Sequence, residues 1–168
     1  MATVTPNYAA TATITCSVAS LASSSSFVAG QESTIVDNSS NKYVDALLSG
    51  KIRVGTTPTV NTQILVYVFA QLDDTPTYPD VMDGTDSAET ITTAGVGQGF
   101  LKLAAVLNVD ATTSDRDYPF GPVSVAQLFG GVMPQRWGVF VTHNTGVALN
   151  STGGNHFIKY QGVKFDVA

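Results

Sequence analysis

Arg136-Trp137-Gly138-Val139-Phe140-Val141-Thr142-His143 and, after a loop rich in Gly, Asn, Ser and Thr, Phe157-Ile158-Lys159-Tyr160-Gln161-Gly162-Val163-Lys164-Phe165-Asp166-Val167 decide the fold class. Trp137, Val139 and Val141 share one parity in the first run. Phe157, Val163, Phe165 and Val167 share one parity in the second, interrupted by Lys159 and Gln161. Period-two spacing places such residues on one face of a pleated strand. Two such runs joined by a turn-rich loop predict a β-hairpin.

The same alternation recurs upstream. Ala10 to Val18 interleaves small or apolar residues with hydroxyl residues, which predicts a half-buried strand with Ala10, Ala12, Ile14, Cys16 and Val18 inward. Ser33–Asp37 reads as a short strand, and Tyr43–Gly55 as a strand after an ambiguous start. Ile64-Leu65-Val66-Tyr67-Val68-Phe69-Ala70 is apolar on both parities, as in a central strand covered on both faces. Phe100–Val109 is a further strand, and Val123–Phe129 a short strand or helical turn closed by Gly130-Gly131. No convincing amphipathic helix interrupts this series. Seven or eight strands separated by turn signals predict one antiparallel sandwich or barrel.

Composition agrees. A chain of 168 residues suggests one domain. Charged residues make up 12%, against about 25% in ordinary domains, and Ser and Thr together outnumber them. Val and Thr are abundant, which suits strands. A net charge of −5 with no Lys/Arg cluster argues against nucleic acid as a partner. No apolar run approaches the ~18 residues that span a membrane, and the N-terminus lacks the pattern of a signal peptide. Cys16 is the one cysteine, so no intrachain disulfide forms, and it reads as a buried thiol in a strand. Residues 1–9 are expected to form a flexible arm.

Few motifs suggest chemistry, and no cofactor is expected. Asp73 to Gly99 is a long polar loop carrying Asp73, Asp74, Asp80, Asp83, Asp86 and Glu89. Asp80, Asp83 and Asp86 are weak calcium candidates, because calcium takes six to eight oxygen ligands. Their spacing is not that of an EF-hand, and a solvated acidic loop is the plainer interpretation. His143 and His156 flank the last loop and, in a simple hairpin, would meet at its mouth. Two histidines make a poor metal site, and no Gly-x-Ser-x-Gly elbow accompanies them. Thr142, Asn144 and Asn155 are expected to shape the turn. Gly95-Val96-Gly97-Gln98-Gly99 lacks the following Lys-Ser/Thr of a P-loop and reads as a flexible link. Trp137 and Tyr160 could offer an aromatic platform to a sugar, or pack in the core.

Three groups of residues carry a resemblance. The first is Ser20-Leu21-Ala22-Ser23-Ser24-Ser25-Ser26 with Ala29-Gly30-Gln31-Glu32-Ser33 and Val36-Asp37-Asn38. The second is Asp45-Ala46-Leu47-Leu48-Ser49-Gly50-Lys51. The third is Trp137-Gly138-Val139-Phe140-Val141-Thr142-His143-Asn144-Thr145-Gly146 with Asn155-His156 and Tyr160-Gln161-Gly162. In these the chain resembles a group of tailed-bacteriophage virion proteins. The resemblance implies a single-domain antiparallel β-sandwich, jelly-roll-like, of the capsid decoration or cement kind. It implies a non-enzymatic protein on the capsid exterior, made in the host cytoplasm. Its expected partners are the major capsid protein and further copies of itself, as a homo-oligomeric dimer or trimer. The alternative expectation is a carbohydrate- or receptor-binding module on the virion surface, motivated by Trp137, Tyr160 and the polar loops.

Overall fold

Eleven strands and two short helices succeed one another in a computed structural model of the chain, which describes residues 2–75 and 77–167. They are β1 (Val4–Tyr8), β2 (Ala12–Ile14), β3 (Ala29–Glu32), β4 (Val36–Asp37), β5 (Asp45–Arg53), β6 (Thr62–Ala70), β7 (Ala88–Thr90), α1 (Ala94–Phe100), β8 (Lys102–Val109), β9 (Asp117–Ser124), α2 (Val125–Leu128), β10 (Arg136–His143) and β11 (Phe157–Val167). A 3-10 turn at Gly153–Asn155 precedes β11. Neither described helix is long and apolar enough to cross a membrane.

The strands form two antiparallel sheets. One runs β1-β11-β5-β9, with β2 also on β11; the other runs β7-β3-β10-β6-β8, with β4 also on β10. Without β1, β4 and β7, the two sheets read 2-11-5-9 and 3-10-6-8. The chain crosses between them at nearly every connection, which is the wrapping of a jelly roll. The expected all-β sandwich is therefore the observed architecture.

Alternation explains the core. Ala46, Leu48 and Ile52 of β5 and Ile158 of β11 face Ile64, Val66 and Val68 of β6 and Trp137, Val139 and Val141 of β10. The opposite parity of β6 and β10 is buried as well. Phe69 and Phe140 pack with Met82, Ile91 and Leu101, supplied by the segment between β6 and β8. Burying one such phenylalanine contributes roughly 1.5–3 kcal/mol. The long polar loop is thus a third layer over the second sheet, and it accounts for the two-sided apolar pattern of β6.

Several expectations need correction. The two closing runs are not a hairpin. Trp137–His143 pairs with β6, and β11 pairs with β5, each in a different sheet. Their apolar faces meet across the core, where the Trp137 and Tyr160 rings stand edge-to-face at 5.6 Å. Side-by-side pairing would leave both faces uncovered, whereas crossing lets each cover the other. Within β11 the buried parity is Ile158, Tyr160 and Gly162; Phe157, Val163, Phe165 and Val167 face outward.

The N-terminal segment is not a free arm over Val4–Tyr8, since β1 pairs residue by residue with Val163–Val167; Met1 lies outside the described residues. Gly95–Gly99 is not a flexible link but lies within α1. Thr93 caps that helix by accepting the Val96 N–H, and a Cβ on Gly97 would stand 2.6 Å from the Ile91 side chain. The glycine therefore serves close packing, which outweighs its poor helix propensity. Cys16 is half-buried just past β2, which is shorter than the expected strand. The stretch Val123–Phe129 divides into the end of β9 and α2.

Candidate functional site

The acidic segment folds so that Asp80, Asp83, Asp86 and Glu89 each meet their own donors. Asp80 accepts the Thr92 N–H and hydroxyl at 2.8 and 2.6 Å. Asp83 accepts the N–H and hydroxyl of Thr85 at 2.8 and 2.6 Å, which hold its carboxyl below the usual range. Asp86 accepts the Ser17 N–H at 2.8 Å and the Gln31 side-chain amide at 2.7 Å. Glu89, in β7, accepts the Ser87 hydroxyl. The weak metal candidates Asp80, Asp83 and Asp86 are thus not brought to one point. Among the described residues no three His, Cys, Asp or Glu side chains stand together to hold a metal ion.

Glu32, which the sequence did not single out as a site, organises this segment. It is fully buried in β3, and its two carboxylate oxygens accept the N–H groups of Gly84 at 2.7 Å and Asp83 at 3.1 Å. Its own N–H donates to Ser87 O at 2.8 Å. Burial pushes the carboxyl up to about 7, against the two N–H bonds that favour its charged form; Asp83 and Glu89 add repulsion. The only sequence signal was a carboxylate inside the short Ala29–Ser33 run, where polarity gives no hint of burial. Burial, with the Asp86 and Glu32 charges, likewise raises the Cys16 thiol, so that side chain is no activated nucleophile.

The two histidines sit in separate bonding sets. His143 donates from Nε2 to Leu21 O at 3.0 Å and accepts the Thr145 N–H at Nδ1. His156 donates from Nε2 to Asn150 O at 2.8 Å and accepts the Arg53 N–H at Nδ1. Each carbonyl partner requires Nε2–H, and the backbone N–H donated to each Nδ1 leaves that nitrogen without a proton, so both rings are neutral and both nitrogens of each are used. Burial lowers both pKa values.

The surrounding residues are equally committed. Asn144 accepts the Gln63 N–H at 2.7 Å, Gly146 donates to the Ser23 hydroxyl at 3.0 Å, and the Ser24 N–H donates to His143 O at 2.7 Å. Gly146 has φ +78°, and a Cβ there would lie 2.7 Å from Thr59 Oγ1. The Thr142–Gly146 block therefore ties the β10 end to the serine-rich segment and to the start of β6. The second and third resembling groups also touch, Tyr160 and Gly162 pairing with Leu48 and Ala46.

Trp137 is fully buried beside half-buried Tyr160, so the pair forms no exposed platform. The indole N–H has no partner among the described residues. An apolar depression of about 330 Å³ beside α1 is lined by Phe27, Tyr67, Ile91, Leu101 and Leu103. On the outward face of the first sheet, Arg53 grips Asp117 with two bonds of 2.7 and 3.0 Å, and Lys51 adds a third at 3.1 Å. The Arg53 bond leads in drawing the Asp117 carboxyl down to about 2.

The most exposed apolar grouping is a two-stranded ribbon made of β1 and the end of β11. Its pairs are Val4 with Val167, Thr5 with Asp166, Pro6 with Phe165, Asn7 with Lys164 and Tyr8 with Val163. Paired residues share a face. One face therefore carries Val4, Pro6, Tyr8, Val163, Phe165 and Val167, and the other Thr5, Asn7, Lys164 and Asp166. Val4, Tyr8, Phe165 and Val167 are 60%, 56%, 57% and 71% exposed. The parity break at Lys159 and Gln161 was the sequence signal. Before it the inward parity is apolar; beyond Gly162 that parity becomes charged and the outward one apolar.

No family model, curated protein or solved structure matches the chain.

Proposed function

We propose that the chain is a structural virion protein that binds the exterior of a tailed-phage capsid and stabilises its lattice through the major capsid protein. The observation that carries this reading is the β1–β11 ribbon. Val4, Tyr8, Phe165 and Val167 gather on one face, outside the sandwich, at exposures where isolated apolar residues are ordinary but a contiguous set marks a contact surface. The residue-level resemblance to phage virion proteins supports the same conclusion. So does the commitment of His143, His156, Asp80, Asp83 and Asp86 to internal bonds, which makes those residues braces of the sandwich. The carbohydrate-binding alternative loses one of its three motivations, since Trp137 packs in the core.

The test is quantitative mass spectrometry of purified virions from the phage that encodes the chain. The expected result is a copy number comparable to that of the capsid lattice, lost on mild capsid stripping. Recovery in the host cytoplasm alone, with none on virions, would overturn the reading.

A further inference from the structure

The ribbon has two edges of different character. Val44 N–H donates to Val163 O at 2.8 Å on the β5 side, and Ala9 N–H donates to Gly162 O at 2.9 Å on the β1 side. Backbone groups alternate sides along an antiparallel strand. Lys164 and Asp166 therefore direct their N–H and C=O groups toward β1, and Phe165 and Val167 direct theirs to the opposite edge. β5 begins at Asp45, opposite Val163, and does not extend along that edge. By the same alternation, Val4, Pro6 and Tyr8 turn their backbone groups to the outer edge of β1. There Pro6 supplies no N–H, a common guard against strand addition. One edge is thus guarded by proline, and along the other no strand pairs with Phe165 among the described residues.

We propose that a second copy of this chain occupies that second edge, with the two β11 ends pairing antiparallel about a two-fold axis through Phe165. The inference is independent of the virion reading. Phe165 would exchange both backbone bonds with its counterpart, as a hydrogen-bonded antiparallel pair does. This register sets Lys164 opposite Asp166 of the second copy, and Asp166 opposite Lys164 of the second copy. Both charge pairs are complementary, and both lie on the polar face with Thr5 and Asn7. A register centred on Asp166 would instead oppose two carboxylates. The result is an isologous four-stranded ribbon, β1-β11-β11-β1, which closes at two copies. Its apolar residues all lie on one side, because paired residues share a face.

The charge pattern provides the test, by light scattering on the isolated full chain. Wild type should run at twice the chain mass of 17.6 kDa. Lys164→Asp alone opposes aspartates twice, and Asp166→Lys alone opposes lysines twice. Each should weaken self-association by about tenfold or more. An equimolar mixture of the two variants should recover a dimer, because every cross-pair is then opposite in charge while neither chain regains its own Lys164–Asp166 contact. Phe165→Pro, which removes the central N–H without touching the β1 ladder, should be monomeric with an unchanged circular dichroism spectrum. Phe165→Leu should stay dimeric and shows that the backbone edge matters. A monomeric wild type at about 100 μM, a trimer, single variants that still dimerise, or a mixture that stays monomeric would each overturn the proposal.

Discussion

Replacing Glu32 with Gln should remove a fall in stability between about pH 4.5 and about pH 7. The carboxyl is buried in β3 and holds the Asp83-Gly84 turn through two N–H bonds, and its pKa rises from 4.5 to about 7 on folding. A carboxyl that holds its proton more tightly when folded gives the folded state extra protons in that window. Its contribution is therefore complete below about 4.5 and is lost as pH rises through about 7. At ~1.4 kcal/mol per pH unit this amounts to ~3 kcal/mol. Gln cannot ionise, so its stability lacks that slope. Its side-chain NH2 must, however, face one of the two N–H donors, which costs about 1 kcal/mol at every pH. The variant should thus be about 1 kcal/mol less stable than wild type near pH 4.5 and roughly 2 kcal/mol more stable near pH 8. Urea unfolding of both proteins across this range, at constant ionic strength, measures the difference. Two curves that stay parallel to within about 0.5 kcal/mol would refute the argument, since only Glu32 titration is removed.

Two further outcomes follow from the charged and imidazole groups. Nitrogen NMR of the imidazoles at pH 6 should show both His143 and His156 as neutral Nε2–H tautomers that titrate below the ordinary value of 6.5; a normal, solvent-like titration of either ring would contradict the bonding described. Asp117→Asn should cost about 1 kcal/mol or less, because the Arg53 and Lys51 partners stand at the surface, and the loss should shrink with added salt. The Asp117 contribution is present above 3.8 and disappears as pH falls toward about 2; a salt-independent loss would count against the ion-pair explanation.

How much was legible varies by element. The two-sided apolar run Ile64–Ala70 announced a strand covered on both faces, and β6 is one. Its outer cover was not legible, because the covering segment is mostly polar and its buried Met82, Ile91 and Leu101, with half-buried Tyr78, Val81 and Phe100, are scattered along it without a strand or helix period. Gly97 was misread for a related reason: glycine opposes a helix locally, and only the closeness of Ile91 explains its place in α1. His143 and His156 were legible as turn-associated residues. Their partners, Leu21 O and Arg53 N–H, lie more than a hundred residues away in sequence and left no mark near either histidine. Glu32 was hidden because a carboxylate by itself suggests exposure, and only the backbone of Asp83 and Gly84 makes its burial tolerable.

Side-chain alternation is a property of a strand by itself, so the sequence alone determined that the chain is all-β and that Trp137, Val139 and Val141 share a face. It also held, in the change of polarity after Gly162, the outward-facing apolar end of β11. Strand neighbours were a tertiary decision. β10 and β11 each had an apolar face to bury, and either a hairpin or a crossing would satisfy their local patterns. The crossing prevails because it closes two sheets over one core, with Trp137 against Tyr160, and no local period encodes which strand lies across the core from which.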